Sequence, residues 1–285
     1  MTVIIAVDFF TEICILSDTR VSYQDRYDTT KGLNKVFPII SPNMKIQACL
    51  GFAGDVSLAQ KIFRFLFKDN QYNDKLSSIA DLRDYIKDGI EHVITDKRKF
   101  NDKRLLSFVL CALHADERRF SNLFNQSQIY SYEVSMKKEK KEEIVSVTEQ
   151  KHVAVIGSGD VKIDKIKKIR EQIINTQIGG DYDSVYLDRT WSLLRDTANI
   201  YDGWASVGGA FQIITMKYPI SKSWSLWRWL TSNPIAYKDI SVSIIKDDFG
   251  EELVFFQDET TKFAIEPIWH PRDWQSSGNY SKATG

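Results

Sequence analysis

The chain has 285 residues, 43% of them hydrophobic, and its 38 basic side chains are matched by 38 acidic ones. That length can bury a sizeable core. A neutral balance with no basic stripe argues against a nucleic-acid surface, and no apolar run approaches the ~20 residues a membrane helix needs.

The start of the chain has neither a charged leader nor a small-residue cleavage site, so a secretory signal is not expected. The three cysteines, Cys14, Cys49 and Cys111, lie far apart inside apolar runs. That pattern fits buried thiols in a reducing, cytoplasmic setting better than disulfides or a zinc site.

In chain order, "TVIIAVDFF" (2–10) and "EICILSD" (12–18) predict two strands joined by a tight turn near Thr11. After a polar loop, "YQDRYDTTKGLN" (23–34), a second pair follows in "NKVFPII" and "KIQACLGFAG". "DVSLAQKIFRFLF" spaces Val56, Leu58, Ile62, Phe63, Phe65 and Leu66 as a helix does. "SSIADLRDYIKDGIEHVI" predicts a second amphipathic helix capped by Ser77 or Ser78. The run "LLSFVLCALHAD" reads as a buried strand. "QSQIYSYEV" and "HVAVIGSG" continue a sheet around the charged tip "KKEKKEE" (137–143). Two helices are expected in "VKIDKIKKIREQII" and "YDSVYLDRTWSLLRDTANI", then a strand in "GAFQIITM". Beyond it come a tryptophan-rich stretch, "SKSWSLWRWLTSNP", and a hairpin in "DISVSIIKDDFGEELVFFQ". Strands and helix pairs in this order would be satisfied by two sheets packed between helical layers.

The chemistry centres on the first residues. Methionine is trimmed before a small side chain, which would leave Thr2 with a free α-amine beside its own hydroxyl. A hydroxyl is a poor nucleophile until a base takes its proton, and the amine can be that base. Its reference pKa of roughly 7.7–8.0 leaves part of it unprotonated at neutral pH. Thr2 begins the first strand and Asp18 ends the second, so a hairpin brings them together. An acid at the end of a buried strand needs a partner, and Lys35 or Arg20 could serve. A lysine beside the amine would favour the amine's neutral form. Gly51-Phe52-Ala53-Gly54 before a helix offers free N–H groups for an oxyanion. Each piece also has an ordinary reading: a small start residue, a structural ion pair, a plain strand-to-helix turn.

Taken together, Thr2, "SDTRVS" (17–22), "NKVFPI", "GFAGDVSLAQKIFRFL" and "VAVIGSGD" resemble the proteasome β-subunit and HslV-like family of N-terminal nucleophile hydrolases. The resemblance covers the first third well and continues weakly from about 105 to 217. It implies an α+β fold, a four-layer αββα sandwich, over residues 1–217, with an inserted hairpin near 115–150 and a C-terminal extension over 218–285. It implies Thr2 as nucleophile and base, with Asp18 and Lys35 completing the site. Ser158 would help place the amine and a water, and "YDGWASVGG" supplies Asp202 and Ser206. Ser22 matches the residue whose backbone pairs with an extended substrate, and Gly51 and Ala53 match the pocket and oxyanion positions. Peptide or unfolded protein as substrate, a homo-oligomeric ring and no cofactor follow from the same likeness, and so does an ATP-dependent unfoldase partner. Lys35 lies one residue further from Thr2 than is usual, and "YDGWASVGG" is longer than its counterpart.

Other signals are weaker. "GSG" before a helix has Lys162 where a dinucleotide loop needs its third glycine. His92, His114, His152 and His270 have no metal-ligand spacing. Trp224, Trp227 and Trp229 could be core, a subunit interface or, less readily, a membrane face. Two alternatives to a peptidase stand beside it: an amidohydrolase of the same fold, and a non-catalytic assembly subunit.

Overall fold

The computed structural model describes residues 2–10, 12–18, 20–23, 26–40, 46–67, 78–95, 106–114, 127–134, 145–157, 162–176, 189, 192–193, 195–197, 199–201, 207, 209–217, 225–231, 240–246, 252–258 and 264–267. Two five-stranded antiparallel sheets dominate it. The first has the order β10 (Val153–Gly157), β1 (Val3–Asp8), β2 (Glu12–Asp18), β11 (Gly209–Lys217), β12 (Ser225–Thr231), and the second the order β5 (Val36–Ile40), β6 (Ile46–Gly54), β7 (Leu106–His114), β8 (Ser127–Val134), β9 (Val145–Gln150).

β1 (Val3–Asp8) and β2 (Glu12–Asp18) are buried at every position. Their apolar side chains alternate between the two faces of one sheet, as a period of two requires. Val3, Ile5, Val7 and Leu16 pack on one side with Ile166, Ile169 and Ile173 of α3 (Ile163–Thr176). Ile4, Ala6, Ile13 and Ile15 pack on the other with Val36, Cys49, Val109 and Cys111 of the second sheet. Flanking β1 and β2 are β10 (Val153–Gly157) and β11 (Gly209–Lys217). β12 (Ser225–Thr231) extends the sheet beyond β11. The tryptophan-rich stretch is therefore a sheet strand, with Trp227 opposite Ile213 and Trp229 opposite Phe211. Trp224 lies outside the described residues.

The second sheet is a meander of β5 (Val36–Ile40), β6 (Ile46–Gly54), β7 (Leu106–His114), β8 (Ser127–Val134) and β9 (Val145–Gln150). β8 and β9 occupy part of the stretch expected to hold an inserted hairpin, and they complete this sheet. Cys49 and Cys111 face each other across β6 and β7. Both are free and fully buried, and burial pushes both thiols well above the ordinary range.

α1 (Val56–Phe67) and α2 (Ile79–Thr95) cover the outer face of this sheet. Asp55 caps α1 by accepting the Leu58 N–H at 2.8 Å. Ser78 and Asp81 form a reciprocal cap for α2: the Asp81 N–H donates to Ser78 Oγ at 3.1 Å and the Ser78 N–H to Asp81 Oδ2 at 2.9 Å. α1 buries Leu58, Ile62, Phe63 and Leu66, each worth ~1.5–3 kcal/mol. Phe65, expected on the same stripe, is 45% exposed and stacks on His92 instead. An aromatic group made of Phe37, Phe52, Phe63 and Phe108, with Phe37 and Phe63 4.5 Å apart, ties β5, β6 and β7 to α1.

The expected polar loop is instead strand. β3 (Arg20–Tyr23) and β4 (Arg26–Asn34) pair antiparallel, and β15 (Ala264–Pro267) runs parallel to β4. Such a strand shows no apolar alternation, because backbone pairing defines it. β13 (Ile240–Lys246) and β14 (Glu252–Asp258) form the expected hairpin, and β12 lies against β14. No helix among the described residues is long and apolar enough to cross a membrane.

Candidate active site

The site is built at one end of the β1–β2 hairpin. Register sets Ile4 against Ser17, so the end of β2 comes level with the start of β1. There Asp18 Oδ1 accepts the Val3 N–H at 2.9 Å and the Lys35 ammonium at 3.1 Å. Asp18 is fully buried, Lys35 is 1% exposed and Thr2 is 8% exposed. A carboxylate and an ammonium this deep persist only when paired. The carboxylate thus holds the lysine and the main chain next to Thr2 at the same time.

Lys35 stands between β4 and β5. Its carbonyl accepts the Phe52 N–H at 3.1 Å, which fixes its backbone to β6. Phe52 is itself held in the aromatic group beneath. The glycine-containing end of β6 is therefore tied directly to the lysine.

Two glycines allow the close approach. Gly157 ends β10, lies opposite Val3 and has a φ of +80°. A Cβ there would run into the Thr2 carbonyl oxygen and lie 2.9 Å from the Ala53 Cβ. Thr2, Ala53 and Gly157 thus converge from three strands of two sheets. A side chain at Gly51 would meet Ile4 and Ile15 of the facing sheet at 2.9 and 3.1 Å.

Of the residues singled out in the sequence, Thr2, Asp18, Lys35 and Ala53 gather here. Gly51 sits two residues before Ala53 in β6, where an added Cβ would point at Ile4 and Ile15 between the sheets. Ser22 lies in β3, opposite Tyr27 of β4. Ser158, Asp202 and Ser206 lie outside the described residues. Sequence reasoning missed Gly157 as a contact of Thr2. The available signal was its position as the last residue of an apolar strand, directly before Ser158.

The far end of the hairpin carries a second polar group. Asp8 accepts the Phe10 N–H at 2.7 Å, which closes the turn and lets Phe10 adopt a φ of 74°. Arg170 from α3 donates to the Asp8 carbonyl at 2.6 Å and lies over the Phe10 ring. Glu12 meets Arg189 at 3.3 Å. These contacts close the turn, away from Thr2. Among the described residues no group of three or more His, Cys, Asp or Glu side chains could hold a metal ion.

The whole arrangement resembles solved structures. Anbu (ancestral β-subunit) from Yersinia bercovieri matches with a TM-score of 0.54 at 12% identity, over 81% of this chain and 88% of that one. The fold is Anbu-like. A helical assembly of the Anbu complex from Pseudomonas aeruginosa matches with a TM-score of 0.55 at 11% identity, over 99% of this chain and 93% of that one. Anbu from Hyphomicrobium sp. strain MC1 matches with a TM-score of 0.50 at 10% identity, over 81% of this chain. No family model and no curated protein matches.

At these identities the likeness is one of fold, a proteasome-like one. It corrects the resemblance drawn from the motifs: the neighbours are Anbu proteins, a family distinct from the HslV-like one. The motifs misled because they sit at strand ends that any such fold must build, so they mark the architecture and not the family. The C-terminal stretch, which had no counterpart in that resemblance, falls within the match to the Pseudomonas assembly.

Proposed function

We propose that this chain is an N-terminal threonine hydrolase of the four-layer αββα type that cleaves peptide bonds. The observation that carries the reading is Asp18, which binds the Lys35 ammonium and the Val3 N–H with one oxygen, right beside Thr2. The reading requires removal of Met1, so that the Thr2 amine is free. Thr2 Oγ then attacks the carbonyl carbon of the scissile amide, and its proton passes to the Thr2 amine through a water. The oxyanion takes a hydrogen bond from the Ala53 N–H. Collapse breaks the C–N bond, the amine leaving group takes the proton, and an ester to Thr2 remains for water to hydrolyse. Lys35 keeps the Thr2 amine weakly basic through its charge, and Asp18 keeps Lys35 in place. Ser158, Asp202 and Ser206 are assigned to proton placement, and Ser22 and Gly51 to the substrate-binding wall.

The helical assembly among the structural neighbours supports association of like chains.

Intact mass before and after a peptide epoxyketone tests the chemistry, since this electrophile needs both the hydroxyl and the amine of an N-terminal threonine. Loss of Met1 with one adduct, absent in Thr2→Ala, is the expected result. A mature Thr2 that takes no adduct would move the reading to a non-catalytic assembly subunit. An adduct without turnover of fluorogenic peptides would move it to an amidohydrolase of other substrates.

A further inference from the structure

The two members of the buried ion pair are joined by the β3–β4 hairpin. Asp18 ends β2, β3 begins at Arg20, and β4 ends at Asn34, the residue before Lys35. The hairpin is thus the arm that carries Lys35 back to Asp18. Its pairing is irregular: Arg20 lies opposite Gly32 and Ser22 opposite Tyr27, with a register shift between them. A two-stranded hairpin is marginally stable in water, and a third strand is what gives it independent stability.

That third strand comes from the far end of the chain. β15 pairs parallel with β4 in the register Ala264–Lys31, Ile265–Gly32, Glu266–Leu33 and Pro267–Asn34. The pairing runs up to the residue before Lys35. No local turn can place a parallel strand, so the pairing itself is what sets β15 on β4. Lys35 is consequently a joint between two sheets. The β15-β4-β3 sheet holds its N-terminal side, and Phe52 of the large sheet holds its carbonyl.

We propose that β15 is a positioning strand, which completes the small sheet and fixes the end of β4 so that Lys35 stays on Asp18. The catalytic consequence rests on the threonine-hydrolase reading, whereas the structural consequence does not. A proline is accepted in an edge strand where its N–H would face away from the partner. Pro267 sets that parity, so the Glu266 N–H faces β4 and the Ile265 N–H faces away.

The test uses the full chain with Glu266→Pro or Ile265→Pro, and reads amide hydrogen exchange by NMR. In Glu266→Pro the Val3 and Phe52 amides, which bond to Asp18 and Lys35, are expected to exchange on the order of tenfold faster. Leu110 in the middle of β7 stays as in the wild type, and Ile265→Pro leaves all three unchanged. The same Glu266→Pro variant shifts the pH profile of adduct formation at Thr2 to higher pH, because the lysine charge has moved off the amine. Wild-type exchange at Val3 and Phe52 in both variants would overturn the proposal, as would an equal rise at Leu110. If the wild-type protein itself forms no adduct, the hydrolase reading falls, and exchange still decides the role of β15.

Discussion

Replacing Lys35 with methionine keeps most of the side-chain volume and removes the charge. The ammonium lies 3.1 Å from Asp18 Oδ1, and neither side chain is more than 2% exposed. At that distance and an effective dielectric of about 20 the attraction is about 5 kcal/mol. Asp18 keeps the Val3 N–H, a charge-assisted bond worth ~1.5–3 kcal/mol, so part of its solvation survives. Breaking one side of a buried pair costs ~3–5 kcal/mol, and Lys35→Met is expected within that range. Asp18→Asn alone leaves a buried ammonium and should cost a similar amount. The double variant leaves no buried charge, and should cost at least ~2 kcal/mol less than the two singles added together. Urea unfolding of the four proteins measures this cycle. Single variants within ~1 kcal/mol of the wild type that add in the double would refute the reasoning, because the pair would then be solvated and uncoupled.

Gly157→Ala puts a methyl group against the Thr2 carbonyl at a φ of +80°. Overpacking of ~1–3 kcal/mol and left-handed strain of ~1–2 kcal/mol should together lower the thermal midpoint by several degrees. Adding Ala53→Gly is expected to recover only part of it, since the clash with Thr2 remains, and a wild-type midpoint in Gly157→Ala would contradict the packing. Tyr132 is fully buried and donates to the Arg83 carbonyl at 3.2 Å, and burial raises its phenol well above 10.0. A group whose folded pKa is raised adds stability that is complete below its unfolded value and is lost as pH rises through the folded one. Tyr132 should therefore add a loss of stability above pH ~10 to the one that the buried Cys49 and Cys111 thiols begin near pH ~8.5. Tyr132→Phe should flatten that loss at a cost of ~0.5–1.5 kcal/mol at neutral pH. An unchanged alkaline slope in urea titrations would refute the assignment.

Most regular elements were legible in the sequence. β1, β2, β6 and β7 announced themselves as dense apolar runs, because strands buried on both faces need no alternation. α1 and α2 were legible from spacing and caps, with Phe65 misplaced because an exposed aromatic on a helix looks like a buried one. β4 and β15 were not legible, since "RYDTTKGLN" and "AIEP" are strands by virtue of their partners alone. β9 does carry a short alternation, with Val145 buried and Val147 packed on the core, but it is flanked by the charged run 137–143 and by Glu149 and Gln150, and the three tryptophans around β12 read as a surface or interface feature instead of a sheet strand. At the site, the nearness of Asp18 to Thr2 followed from counting along a hairpin. The choice of Lys35 over Arg20 as partner of Asp18 rested on the resemblance, and Gly157 needed the tertiary structure. Neither follows from local spacing, because each depends on where a distant strand ends.

The two large sheets differ in how far apart their strands lie along the chain. β5 to β9 are neighbours in chain order, with only the α1–α2 pair inserted between β6 and β7, so each strand of this sheet pairs with the one made just before it. β1 and β2 precede all of these, yet their outer partners are Val153–Gly157 and Gly209–Lys217. These two strands must therefore wait, with two edges open, while the later sheet forms. Asp18 reaches Thr2 once the β1–β2 hairpin closes, but the surroundings of Thr2 are complete only when β10 has paired with β1 and brought Gly157 against it.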